Sequence, residues 1–155
     1  MDRISRNRRE QMVLRLLVRL TRRMSDEIVS RMKNEGFSDF SPSWVRLLGN
    51  LDVEGTRLGA LARRMGVTRQ AASQLGAEIE RRGYLERLPD PEDGRGSILR
   101  FSPTGRAALA CALRTMDAIE GEYAEVLGLD AYASMKGALA RLVEEVDAGG
   151  RLGLE

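Results

Sequence analysis

Apolar positions in the middle of the chain recur first at a helical period and then at a strand period, and the change between them marks its elements. Thr56 is a good helix N-cap, and Leu58, Leu61, Ala62 and Met65 follow on one face at helical spacing. Gly66 supplies the residue a tight inter-helix turn needs, and Val67 fills the corner. Thr68 caps a second helix that runs to about Arg82 and ends at Gly83. Tyr84 to Leu88 has the β propensity and alternation of a short strand. Pro89, Pro91 and the Asp93-Gly94 pair predict a turn-rich loop, and Ser97 to Phe101 predicts the returning strand. Ser102 and Pro103 then cap a new helix, with proline at its first position.

Longer amphipathic stripes flank this centre. Val13, Leu17, Leu20, Met24 and Ile28 form one helical stripe, with Arg15, Arg19, Arg22 and Arg23 over the opposite face. Leu109, Leu113, Met116, Ile119, Tyr123 and Val126 make a long helix ending at Gly128. Asp130 can cap a last helix carrying Tyr132, Met135, Leu139, Leu142, Val143 and Val146, which Gly149-Gly150 stops. These helices hold more apolar surface than a small central unit can cover. They predict a homodimer that intertwines the first and last helices; the alternative is a helical cap on a monomer.

Two short helices joined by a glycine turn make a helix-turn-helix, and a hairpin directly after them makes a wing. The fold class expected is therefore mostly α with a small β-hairpin wing: a winged helix-turn-helix flanked by terminal dimerisation helices. The chain, 155 residues long, reads as one domain, with residues 1–35 and 103–148 for dimerisation and 41–102 as the winged-helix region. The second helix of such a motif enters the major groove of double-stranded DNA. Thr68 and Arg69 at its start suit phosphate and a guanine edge, Gln70 and Gln74 can pair with adenine, and Ser73 can bond base or phosphate. Arg57, Arg63 and Arg64 are further candidates for backbone contacts.

The net charge of +2 conceals a division along the chain. Residues 1–35 carry ten basic and five acidic side chains, and residues 57–106 carry ten and six. Residues 107–155 carry four and nine, so the helical C-terminal part is acidic. A basic surface opposed to an acidic one steers a polyanion to one side of a protein. With a single cysteine, Cys111, no intrachain disulfide forms, and a reducing, cytoplasmic setting is expected. The absence of histidine removes His-based triads and His metal sites. No spacing of nucleophiles, carboxylates or metal ligands supports an enzyme, and no cofactor is expected. Arg3, Arg6, Arg8 and Arg9 precede an apolar run, but arginines interrupt it and no small-residue cleavage site follows. No stretch approaches the ~20 apolar residues of a membrane span. The basic first helix could lie on a membrane surface, but the acidic helices at the other end favour packing on protein.

Several of these segments carry a resemblance. Leu61-Ala-Arg-Arg-Met-Gly-Val-Thr-Arg, Glu80-Arg-Arg-Gly-Tyr-Leu-Glu-Arg, Pro89-Asp-Pro-Glu-Asp-Gly-Arg and Phe101-Ser-Pro-Thr-Gly-Arg, in that order, resemble the MarR family of multiple antibiotic resistance regulators. Upstream, Phe40-Ser-Pro-Ser-Trp-Val-Arg-Leu-Leu resembles the start of that family's second helix. The resemblance implies a homodimeric winged-helix transcription regulator, most often a repressor, that many members release from DNA through a small-molecule effector or oxidation. It implies that Arg95 enters the minor groove and that Asp93 braces it. It also implies an effector pocket near Met32, Phe37, Phe40 and Trp44, although residue by residue ordinary core and interface packing is the stronger reading. The chain departs from the family pattern at Gly94 and Gly96, where bulkier residues are usual, and at Gln74, where a cation is common. Gly76 inside the reading helix costs about 1 kcal/mol against alanine unless a close contact uses it. Two alternatives remain open at this level: a winged helix that binds protein, and a regulator that senses oxidation through Cys111.

Overall fold

The computed structural model describes residues 12–148, with the side chains of residues 94 and 95 excepted. In chain order the described elements are α1 (Val13–Asn34), α2 (Pro42–Leu48), β1 (Thr56–Arg57), α3 (Leu58–Met65), α4 (Arg69–Arg81), β2 (Leu85–Asp90), β3 (Asp93–Phe101), α5 (Pro103–Leu127) and α6 (Leu129–Asp147). The expected class is therefore observed: a mostly helical chain with a small antiparallel sheet in the order β1-β3-β2. Two compact units are distinguished, the first ending at Thr115 and the second starting at Met116.

In the first unit, local signals set the helix ends. Ser41 accepts a bond from the Trp44 N–H and Pro42 occupies the first turn of α2. Thr68 accepts from the Ala71 N–H at the start of α4, and Ser102 accepts from Gly105 N at the start of α5. Gly66 closes α3 with φ +63°, a left-handed conformation that side chains with a Cβ rarely adopt. Thr56 behaves differently from the expectation that it caps α3. It pairs with Leu99 in the sheet, and its hydroxyl accepts from Asp52 N and donates to Asp52 Oδ2, while Arg57 stands at the helix cap without a side-chain bond to the helix N-terminus. Pairing with the central strand, unforeseeable from local sequence, takes precedence over capping.

The wing also departs in detail. β2 runs on through Pro89 to Asp90, and β3 begins at Asp93, so Pro91 and Glu92 form the turn. Pro89 is tolerated because β2 is an edge strand and needs no donor on its outer side. Pro89 pairs with Ser97 whereas Asp90 pairs with Asp93, which makes Gly94–Gly96 a bulge in β3. Arg95 thus belongs to a bulged strand.

Leu61, Ile79, Leu99 and Phe101 are fully buried where α3, α4 and the sheet meet. Met32, Trp44 and Leu47 bury the end of α1 against α2. Each such side chain contributes about 1.5–3 kcal/mol of burial free energy. The N-terminal half of α1 finds no such cover: Val13, Leu14, Leu16, Val18 and Leu20 are exposed.

In the second unit, Ile119 and Ala124 of α5 are buried. No residue of α6 is buried, and Leu142, Val143 and Val146 lie open to solvent. Lys136 bonds Glu120, which holds the ammonium more firmly protonated than usual, chiefly through that hydrogen bond. Asp130, expected as the α6 cap, lies in its first turn, and the cap position is Gly128. A carboxylate there still favours the positive end of the helix. Gly149, Gly150 and the N-terminal arginines Arg3, Arg6, Arg8 and Arg9 lie outside the described residues.

Candidate nucleic-acid interface

Helix α4 buries Ala72, Gly76 and Ile79 on one side, which leaves Thr68, Arg69, Gln70 and Gln74 exposed on the other. Ser73 is half-buried at the margin. Gly76 resolves its apparent cost: a Cβ at this position would lie 2.7 Å from Leu99 Cδ1. The missing methyl lets the central strand sit directly against α4. The first turn of α4 faces the base of the wing across a recess of about 210 Å³, lined among others by Arg57, Arg63, Arg69, Asp90, Asp93 and Ser97. Arg69 and Asp93 are thereby brought to one place, whereas Gln70 and Gln74 are not among its lining residues. The Arg95 side chain lies outside what is described.

The arginines around this surface have distinct employments. Arg57 reaches from β1 to the wing, with Nε 3.0 Å from Asp90 Oδ2 and a second bond to Glu92. The Asp90 side chain is only 5% exposed and also accepts from the Glu92 N–H, so its charge is met from two directions. The hydrogen bond to Glu92, then the Asp90 charge, hold the Arg57 guanidinium protonated still more firmly than usual. Arg64 donates to Asn50 O and Asp52 Oδ2. That bond, with a smaller one from Thr56, lowers the Asp52 carboxyl below its ordinary range. Arg46 donates to the Met65 carbonyl at the end of α3. Arg57 and Arg64 therefore serve the protein's own carboxylates.

Arg87 is the residue that sequence reasoning passed over. From β2 it reaches Glu80 Oε2 (3.2 Å) and the Ser73 carbonyl (3.4 Å) on α4, and Ser97 Oγ (3.1 Å) on β3. A signal was available: strand alternation puts Arg87 on the same face as buried Leu85, and a cation on a core-facing position must find partners.

Phe40 and Trp44 pack with Tyr84 and half-buried Phe37 in tilted and edge-on pairs, with centroids 5.4–6.3 Å apart. Met32 joins this region through its carbonyl, which accepts from the Phe37 N–H. Met32, Phe40 and Trp44 are at most 3% exposed, so they fill space here. Trp44 Nε1 donates to Glu78 Oε1 at 2.9 Å and so links the cluster to α4. Burial raises the Tyr84 hydroxyl pKa, with a further upward push from Asp39. Cys111 is a buried free thiol. Among the described residues no acidic, histidine and cysteine cluster could hold a metal ion, and no helix is long and apolar enough to cross a membrane.

A helix-turn-helix whose second helix exposes polar side chains beside a sheet-borne hairpin defines a winged-helix protein. Residues 38–96 match the family model described as the MarR family. In fold the chain is similar to the transcriptional repressor CouR bound to a 23-mer DNA duplex, with a TM-score of 0.70 and 24% identity over 86% of this chain and 94% of that one. It is similar also to apo MarR from E. coli, with a TM-score of 0.66 and 18% identity over 84% of this chain and 96% of that one. The PcaV regulator of Streptomyces coelicolor, solved with its natural ligand, gives a TM-score of 0.64 and 20% identity over 88% and 94%. No curated protein matches the chain in sequence.

Proposed function

We propose that this protein is a sequence-specific DNA-binding transcriptional regulator: a cytoplasmic homodimer that represses from an inverted-repeat operator and is released by a small-molecule effector. The observation that carries this reading is the exposed polar face of α4 standing beside the wing across an arginine-lined recess. In it Thr68 and Arg69 meet phosphate and a guanine edge, Gln70, Ser73 and Gln74 read the major groove, and Arg95, braced by Asp93, enters the minor groove. Residues 41–102 form the DNA-reading region, and residues 1–35 and 103–148 form the dimer. The apolar positions exposed on α1 and on α6 support that division. That CouR was solved on a DNA duplex and PcaV with a ligand supports the choice of partners. The effector site is assigned to Met32, Phe37, Phe40 and Trp44, where half-buried Phe37 offers the way in. This function needs no catalytic residue and no cofactor.

The test is selection of bound fragments from a random duplex pool, followed by titration at several salt concentrations. A two-fold dimer selects inverted half-sites centred about 10 bp apart. Affinity should fall steeply with salt as counterions are released. Asymmetric sites, or retention indifferent to salt, would overturn the reading.

A further inference from the structure

We infer that Arg87 is the positioning residue that fixes the wing against the reading helix, so that both reach DNA in one docking event. The inference rests on the DNA-reading function proposed above and deepens it. Two kinds of contact join α4 to the sheet. The apolar one includes buried Ile79 and Leu99, which lies in the space left by Gly76. Such packing is non-directional and limits separation more than it fixes register. The polar one adds direction. Arg87 spans α4 from the Ser73 carbonyl to the Glu80 carboxylate, nearly two turns apart, and with its remaining nitrogen holds Ser97, the residue that follows the β3 bulge. Its side chain is 26% exposed and Glu80's is 35%, so the pair is partly shielded from solvent. A guanidinium suits this task because its donors lie in one rigid plane, whereas a lysine ammonium is a point charge on a flexible stem. Arg87 thus acts on DNA through Ser73 and Ser97, without touching it.

Positioning and direct phosphate contact predict opposite signs at Glu80. If Arg87 merely contributed positive charge to the DNA surface, Glu80→Gln would remove a nearby negative charge and tighten binding. If Glu80 is one anchor of the clamp, Glu80→Gln weakens binding despite the more favourable net charge. The experiment measures Arg87→Met, Arg87→Lys, Glu80→Gln and Ser97→Ala on the duplex selected by the wild-type protein, at several salt concentrations and against its single-base variants. Arg87→Met is expected to weaken binding roughly tenfold, the scale of a lost set of charge-assisted bonds. It should also lower the salt slope, because the wing no longer lands with the helix. The ranking of bases under α4 should be unchanged. Arg87→Lys should not restore binding, and Glu80→Gln should weaken it and be non-additive with Arg87→Met. Tightened binding by Glu80→Gln, or wild-type affinity and slope in Arg87→Met, overturns the inference while leaving the DNA-reading function intact. Should Arg87→Met not fold, Glu80→Gln decides the matter by the same sign, and Ser97→Ala, which removes the third anchor, should weaken binding as well. A wild-type protein that selects no duplex overturns the function itself.

Discussion

Two glycines of α5 show how little a residue's identity says until its neighbours are known. A Cβ at Gly105 would fall 1.9 Å from the Tyr84 carbonyl oxygen, whereas one at Gly121 would meet nothing within 4 Å. Gly105→Ala should therefore destabilise the fold by about 3 kcal/mol, at the upper end of overpacking costs, because backbone must move. Gly121→Ala should stabilise it by up to about 1 kcal/mol through helix propensity. Urea titration of both variants checks the pair, and a neutral Gly105→Ala would refute the close approach. Gly105 was legible in the sequence only as part of a motif; its reason lies with Tyr84, distant along the chain. Gly76 was legible as a conditional cost, and Leu99 supplies the condition. Asp52 offers a test by pH. Its carboxyl titrates lower folded than unfolded, so the stability it contributes is present above the unfolded value and lost as pH falls through the folded one. Asp52→Asn should be less stable than wild type at neutral pH, and the difference in urea midpoint should vanish below the carboxylate range. A difference independent of pH would refute the Arg64–Asp52 link.

Helices were more legible than strands because their signals are local. Caps at Thr68 and Ser102 and the turn at Gly66 act within one turn of chain, and all are observed. Thr56 and the wing tip depend on distant partners, the central strand and Arg57, and there local turn residues misled. The candidate DNA contacts on α4 were readable from exposure alone, but the clamp of Arg87 was not, since its partners come from two other elements. Within the wing, Arg95 and the reading helix should separate experimentally. Minor-groove readout follows A·T content and groove width, so Arg95→Ala should weaken binding broadly, by about 1–3 kcal/mol, and lower the salt slope by about one. Gln70→Ala or Gln74→Ala should relax preference at one position of each half-site and leave the slope nearly unchanged. Titration of an operator and its single-base variants at several salt concentrations distinguishes these outcomes. Wild-type affinity in Arg95→Ala at every salt would remove the wing from the interface.

At the scale of the molecule, the apolar stripes expected on the terminal helices are covered in part, at Ile28 and Ile119, and stay open toward the two ends of the described chain. Leu17 and Leu20 are 38% exposed, and Val143 and Val146 are 58% and 55% exposed. Helices with such faces are stable in water when another apolar surface covers them. Sedimentation should give about twice the chain mass. Leu17→Asp together with Val143→Asp should yield monomer or aggregate with much weakened DNA binding. A soluble, well-folded wild-type monomer at micromolar concentration would refute the dimer.

The chain holds one tryptophan, and its indole is hydrogen-bonded to Glu78 on α4. Excited at wavelengths that tyrosine does not absorb, each chain consequently emits from a single indole, tethered to the very helix proposed to enter the groove. Operator engagement or effector release that shifts α4 alters the indole's hydrogen bond and surroundings, and hence the wavelength and lifetime of that emission. If the proposed function holds, the protein thus comes with an optical reporter of α4, requiring neither label nor added residue.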